Sequence, residues 1–470
     1  MADSIARQFA RWTANLKYED LPPAVVDKMK SVLLVELVSG VLGAQDHRAK
    51  EVNDFIVREE GKADGATIIW DGRKASRAGA AFANAEAMHV TGLEDQFRMI
   101  THPGSSLIPV AITNGELEGV NMKTLLTALA AGYEVGCRLS DDFVPATAAR
   151  GYRPAPIYHT MGSSVVAAKL MGLNEDGMMS AIAIGANSAA GLFESGRGAG
   201  GGETAFHDPN AARAGTFAAM VAREGHIKGS ELVIEGEAGF LNAFTGNNRG
   251  DLTYMFEEPR HVDVSKIPAG LGKEWKLLNI MYRMYNTGGY NHPVINLLAE
   301  LREQHKINPD EVAHVEVQIN YLETTYPSAQ FPAQPANPAR VGSTHYFAAH
   351  AIVNGGFPQI GGRTYGPTED PTKDEKVLKF MAEKVKITGI WNQPMFSPRA
   401  IVTMNSGMSY TGDYPYARMC WDLEGLVDHL HDLEAKFPLG AAGLNKIIDA
   451  CRNLESLSSV ADLHALTRAQ

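Results

Sequence analysis

Through the first half of the chain, apolar residues recur three and four positions apart in one segment after another. That spacing places them on one face of an α-helix. Ile5, Phe9, Trp12 and Leu16 in "IARQFARWTANL" mark an amphipathic first helix. "LPPAVVDKMKSVLLVELVSGVLGA" follows, with proline in its first turn, where a missing N–H leaves no bond unmade. "SRAGAAFANAEAMHVTGL", "MKTLLTALAAGYEVGCRL", "SSVVAAKLMGL", "DGMMSAIAIGANSAAGL" and "NAARAGTFAAMVAREG" continue the series. Each mixes Ala, Gly and Ser with larger apolar side chains, so a compact bundle with close crossings is expected. "GLNEDG" and "EGHIKG" are glycine-bounded stops between helices.

Beyond about residue 260 the pattern changes. "AHVEVQINYLETTY", "KVKITGIW" and "AIVTMNSGMSYTGDY" alternate like strands, with "PVINLLAELREQHK" and "STHYFAAHAIVNGG" as helices among them. "YPSAQFPAQPANPARVG" reads as a stiff, proline-rich surface connection. From Leu423, "LEGLVDHLHDLEAKF" and "AAGLNKIIDACRNLESL" return to helices. The expected fold is mainly α: a helical domain beginning with 1–262, a smaller α+β lid over 263–415, and C-terminal helices over 416–470 that rejoin the first domain. There is no solenoid-type repeat.

Composition adds exclusions. With 470 residues, 45% hydrophobic and 21% charged, the chain can bury a large core. A net charge of -11 argues against a nucleic-acid or anionic-membrane surface, but not against a small cationic pocket. The run "VLLVELVSGVLGA" is interrupted by Glu36 and too short to cross a bilayer, and "MADSIARQFARWTANL" has no signal-peptide layout. Cys137, Cys420 and Cys451 form no CxxC and no disulfide framework, so a reduced cytoplasm is the expected setting.

The chemistry gathers at histidines that open helices. In "EDQFRMITHPGSSLIPVAI", His102 precedes Pro103, which disfavours helical backbone at the histidine and suits the first helical turn. Free amides at that end favour an anion and disfavour imidazolium. A neutral His102 beside a bound carboxylate is either a proton acceptor or a hydrogen-bonded structural residue. His292-Pro293 in "YNHPVINLLAEL" repeats the pattern; so do His159 in "YRPAPIYHTMGSSVVAAKL", with Arg153 upstream, and His207 in "ETAFHDPNAARAG". In the last of these Asp208 suits the N-cap and Pro209 the first turn, leaving His207 just outside.

"ESGRGAGGGETAFHDPN" lacks the GK[ST] ending of a P-loop and a clear preceding strand, so a ligand-closing loop with Arg197 as its cation is expected rather than a nucleotide site. No HExxH, cysteine cluster or calcium loop appears, and His429 and His431 in "DHLHDLE" point apart on a helix, so no metal is expected.

Several of these segments, in order, resemble the MmgE/PrpD family, which includes 2-methylcitrate dehydratase, cis-aconitate decarboxylase and iminodisuccinate epimerase. "AAFANAEAMHVTGLED" with "THPGSSLIP" is similar to its Ala-rich helix, acidic motif and His-Pro turn. "YHTMGSSVVAAKLMGLNEDGMMSAIAIGANSAAGL" is similar to its His-containing small-residue helix and the helix after it, and "FHDPNAARAGTFAAMVAREGHIKGSELVIEGEAGFLNAF" resembles a family signature most closely. "NHPVIN" and "STHYFAAHAIVNGG" match in the lid, whereas the usual Pro-Arg-Gly-x-Pro turn is absent from "GMSYTGDYPYARMCW".

The resemblance implies a helical domain with an α+β lid, a homodimer, no cofactor, and proton transfer next to a carboxylate in a cleft between the domains. It implies His102, His159 and Tyr346 as active-site residues, and Asp95 or Glu94 as the motif aspartate. Two family lysines are replaced here, one by Thr204 and one by Arg283, and an arginine binds carboxylates bidentately but is no base at neutral pH. The expected activity is therefore that of a cofactor-independent lyase or isomerase on a small di- or tricarboxylate, by dehydration, decarboxylation or epimerisation. His102 and His159 would serve as base and acid, Tyr346 as a proton donor, and Arg98, Arg153 or Arg283 with Thr204, His207 and His292 would hold the substrate. The alternative is a non-catalytic ligand-binding paralogue on the same scaffold.

Overall fold

The small-residue helices pack as closely as their composition predicts. The structure, a computed structural model, describes residues 3–194, 202–252, 254–257, 260–325, 339–359 and 373–468. Arg197 and its glycine loop at 195–201, and the proline-rich segment at 326–338, lie outside the described residues. The first helices are α1 (Ile5–Asn15), α2 (Pro23–Gly43), α3 (His47–Glu60), α4 (Arg77–His89), α5 (Gly104–Glu118) and α6 (Met122–Ser140). They are followed by α7 (Val144–Ala149), α8 (Pro154–Leu170), α9 (Glu175–Ser188), α10 (His207–Arg223) and α11 (Phe240–Thr245). α8 is the hub, packed against α5, α6, α9 and α10. A Cβ on Gly215 of α10 would lie 2.3 Å from the Cβ of Ser163 on α8, so this crossing is set by glycine. α2 is buried from Ser31 to Gly43, as a helix apolar on every side must be.

The first half is not purely helical. A two-stranded ribbon joins β1 (Gly61–Thr67) to β2 (Lys74–Ala75), and β3 (Glu94–Gln96) precedes α5. β2 and β3 are too short to show an alternation, and β1 has none, being exposed over residues 61–64 and buried only after that. β3 pairs antiparallel with β4 (Met281–Arg283), placing Glu94 opposite Arg283.

The remaining chain forms α12 (Asn291–His305), β5 (Val312–Asn320), α13 (Tyr321–Thr325), α14 (Thr344–Asn354), α15 (Glu375–Lys384), β6 (Val385–Ile390), β7 (Arg399–Met404) and β8 (Ser409–Asp413). The sheet order is β6-β5-β7-β8, with β5 and β6 parallel and the other pairs antiparallel. The segment "AIVTMNSGMSYTGDY" is thus a hairpin, not one strand. α12 and α14 pack together, and α15 lies on α14. The last helices, α16 (Leu423–Leu430), α17 (Gly440–Arg452) and α18 (Val460–Leu466), return to the N-terminal helices, α16 and α17 against α2 and α18 against α5. The fold is mainly α with a smaller α+β region, as the sequence pattern predicts. Among the described residues no helix is long and apolar enough to cross a membrane.

Two helix starts differ from expectation. α8 begins at Pro154, so His159 lies inside its second turn rather than before it; prolines at 154 and 156 occupy the turn that needs no N–H. α10 begins at His207, and Asp208 lies within the first turn without capping it.

Candidate active site

His102 sits just before α5, as its Pro103 predicts, and the orphan amide of Gly104 is capped from outside the helix by Asp95 Oδ1 at 2.8 Å. A Cβ on Gly104 would lie 2.4 Å from Glu36 Oε1, so only glycine lets the helix start approach that buried carboxyl. Asp95 and Glu36 are both fully enclosed, and the Asp95 amide donates to Glu36 Oε1 at 3.4 Å. Burial, with the other carboxylates close by, raises the pKa of both acids.

The Nδ1 of His102 faces two acceptors, the Asp95 carbonyl and Glu94 Oε1, each at 3.3 Å. A nitrogen between two acceptors carries the ring proton, which leaves Nε2 as the free lone pair. Burial lowers the His102 pKa to about 3, with Arg283 and Arg153 acting in the same direction against the pull of Glu94. His102 is neutral in the physiological range. Glu94 is held below the usual carboxylate range despite its burial, by His102, Arg283 and His89. The Arg283 guanidinium forms a short ion pair with it.

His102, Glu94 and Arg283 line a cavity of about 320 Å³ that also receives Arg153 and Thr204, whereas Asp95 and Glu36 lie outside its lining. Of the residues expected at the site, His102, Arg153, Thr204 and Arg283 thus share one wall-to-wall space, with Glu94 between them. Thr204 stands on the single 3-10 turn before α10.

The others stand apart from its lining. His159 is buried on α8; neither ring nitrogen meets a hydrogen-bond partner among the described residues, and burial, helped by Arg153, lowers its pKa to about 4. Asp208 and Glu94 oppose that lowering, and His159 is not in the cavity lining. His207, in the first turn of α10, has its pKa lowered by burial and by Arg153. His292 accepts from the backbone amides of Met284 and Tyr285 at 3.0 and 2.9 Å through Nε2, pinning the end of β4. Tyr346 is buried on α14 among Phe347, His350 and Phe357. Arg98 donates to Asp141 at 2.7 Å and lines a separate cavity of about 550 Å³. Its backbone is left-handed, φ 55°, as is that of Ile100, φ 65°. Neither residue is the glycine or asparagine that would announce such a turn.

Two groups on the cavity, His89 and Arg48, and Asp208, which faces His89, have no clear mark in the sequence. His89 ends α4; its Nδ1 lies 3.1 Å from Glu94 Oε2 and its Nε2 3.7 Å from Asp208 Oδ2. Asp208 is fully buried, accepts from Ser106 Oγ at 3.2 Å, and faces Arg153 at 3.6 Å. Arg48 of α3 reaches the rim with its Nε tied to buried Glu86. The spacing of His89 and Glu94 on either side of "VTGL" was the available signal. No signal marked Asp208 as more than a cap.

Among the described residues no cluster of His, Cys, Asp and Glu has metal-ligand geometry. His429 stacks on Trp421 with ring centroids 3.8 Å apart while His431 meets Glu434 at 2.7 Å, so the two diverge.

The MmgE/PrpD N-terminal domain profile matches residues 7–253. The chain belongs to the MmgE/PrpD family. A cis-aconitate decarboxylase-like protein of Aspergillus oryzae is 27% identical over 323 residues, 66% of this chain and 63% of its own length. Cis-aconitate decarboxylases of Aspergillus terreus and Homo sapiens are 23% and 27% identical, over 67% and 58% of this chain and 65% and 58% of their own lengths. The chain therefore matches less than two thirds of the length of these relatives.

Proposed function

We propose that this member of the MmgE/PrpD family is a lyase or isomerase that moves a proton next to a carboxylate of a small di- or tricarboxylate, in the cavity lined by His102. The observation that carries the reading is the pairing of His102 Nδ1 with Glu94 at 3.3 Å, beside Arg153 and Arg283 on the same cavity. Glu94 orients the ring, and the free Nε2 takes the α-proton. The guanidiniums hold the acid's carboxylates and stabilise charge developing on the carbanion; each preorganised donor of this kind contributes a few kcal/mol. From that carbanion, loss of hydroxide gives dehydration and return of the proton to the opposite face gives epimerisation. Decarboxylation instead forms the carbanion by releasing CO2 and ends with protonation. The names of the relatives favour decarboxylation of an unsaturated tricarboxylate. The reading includes a cofactor-free homodimer in the cytoplasm, with the domain limits 1–262, 263–415 and 416–470, and keeps His159 as a candidate acid or base and Tyr346 as a candidate proton donor.

Incubation with a panel of citrate-like acids in D2O is expected to place deuterium at the carbon next to a carboxylate of the true substrate. His102→Gln should slow that incorporation by about a hundredfold or more. Undiminished incorporation in the variant would remove His102 from the mechanism. Absence of incorporation and of turnover with every acid, together with tight binding of one, would favour the non-catalytic paralogue, the reading to which Thr204 in place of a family lysine lends support.

A further inference from the structure

The cavity described above contains a second imidazole whose surroundings are the reverse of those of His102. His89 is the last residue of α4, where unpaired carbonyls favour a cation, whereas His102 stands before the first turn of α5, where free amides oppose one. Both nitrogens of His89 face carboxylates, Glu94 of β3 at 3.1 Å and Asp208 of α10 at 3.7 Å. A ring with an anion on each side is a double donor. The longer contact exceeds hydrogen-bond distance, and Asp208 Oδ2 accepts no hydrogen bond among the described residues. The Nε2–H therefore remains available to an oxygen in the cavity that His89 lines.

Charge balance around this ring decides what it does. The ionisable groups that surround it are Glu86 one turn back on α4, Glu94, Asp208, Arg153 before α8, and His207, with Arg48 and Arg283 on the same cavity. Three guanidiniums thus stand against three carboxylates, and His102 is neutral. Each guanidinium on the cavity already faces an anion of the fold, Arg48 with Glu86, Arg153 with Asp208 and Arg283 with Glu94, so a proton on His89 adds charge beyond those pairs.

We infer that His89 is a recognition residue for the substrate's carboxylate, supplying the positive charge by which this cavity exceeds its own buried anions, so that carboxylate binding and protonation of His89 are linked. The inference rests on the proposed reading of the cavity as a carboxylate site. Burial alone would lower the His89 pKa; Asp208 and Glu94 more than offset it, and the ring titrates above the ordinary histidine value. A carboxylate bound beside it raises that further, and by reciprocity the proton strengthens binding.

Calorimetry with tricarballylate, which resembles a tricarboxylate substrate but has no leaving group, tests this on the whole protein. Between pH 6.5 and 9 the wild type is expected to take up a proton on binding and to lose roughly tenfold or more in affinity as pH rises. His89→Gln should bind that much more weakly at the lower pH, with no proton uptake, and His89→Arg should restore affinity and remove the pH dependence. The ligand's own ionisation cancels in the ratio of wild type to variant. Proton uptake by the wild type needs no variant, so a misfolded substitution leaves the test intact. Tricarballylate binding without proton uptake, or a His89→Gln variant with wild-type affinity and pH slope, would overturn the inference while leaving the carboxylate site standing. If tricarballylate and the citrate-like acids all fail to bind, both fall. Binding linked to His89 without deuterium incorporation would overturn only the proton-transfer reading.

Discussion

His89 and His102 share one carboxylate: their Nδ1 atoms lie 3.1 and 3.3 Å from the two oxygens of Glu94. One ring ends a helix and the other precedes one, so opposite helix poles act on two imidazoles bridged by a single anion. Glu94 fixes a tautomer on one side and stabilises a cation on the other.

That double duty makes Glu94 the first position to change. Glu94→Gln is expected to reduce deuterium incorporation by about tenfold to a hundredfold, and the loss should not add to that of His102→Gln, because both act through the same lone pair. Leaving Arg283 without its buried partner should also cost about 3 kcal/mol of stability, measurable by denaturant unfolding. Additive kinetic losses would separate Glu94 from the base.

The acid side of the pH–rate profile follows from His102. Its pKa is lowered to about 3, chiefly by burial, so the lone pair on Nε2 survives down to that range. As pH falls from neutrality, kcat/KM in the wild type is expected to hold until the protein nears acid unfolding. An acid limb in the ordinary histidine range that vanishes in His102→Gln would contradict the neutral assignment.

Glu36 shapes stability instead of rate. Its folded pKa is raised well above 4.5 by burial and by Asp95, while the unfolded chain ionises at the ordinary value. Between those two values the folded state holds the extra proton, so stability falls as pH rises through the window. Glu36→Gln mimics the protonated form and should flatten that slope, leaving the variant more stable than wild type at pH 7 by chemical denaturation. An unchanged slope would mean that Glu36 is ionised in the fold.

His292→Ala removes the acceptor of two backbone amides, that of Met284 buried and that of Tyr285 partly so. A loss of about 1–3 kcal/mol is expected. The same change should loosen β4 and with it Arg283, so binding of tricarboxylates should weaken alongside stability. His292→Ala with intact stability would assign those amides to another acceptor.

Gly215→Val tests the bundle itself. The α8–α10 crossing has no room for a side chain there, with Ser163 Cβ 2.3 Å from the position a Cβ would take. A loss of roughly 1–3 kcal/mol is expected in thermal or denaturant unfolding.

Helix-by-helix periodicity made the mainly α architecture legible, and the His-Pro pair at 102–103 gave the start of α5 to within two residues. Arg98 turns to a separate cavity on a left-handed backbone that its residue type does not signal. Asp208 looked like a cap because Asp before Pro commonly is one, and only the packing of α10 against α4 and α8 turns it toward His89. A histidine late in an Ala-rich helix, as His89 is, carries no local mark of its partners, which come from β3 and α10. Tyr346 sits in an aromatic cluster that pattern alone does not reveal.

The pairing of β3 with β4 has a bearing on how the protein is made. Glu94 and Arg283 are 189 positions apart, yet they pair through both backbone register and side chains. A nascent chain that has emerged only through the segment matching the family's N-terminal domain, residues 7–253, carries His102 and Glu94 without their guanidinium. Until the later strand is made, Glu94 has His89 and His102 beside it but not Arg283, so the cavity gains that one guanidinium only after the matched N-terminal segment is complete.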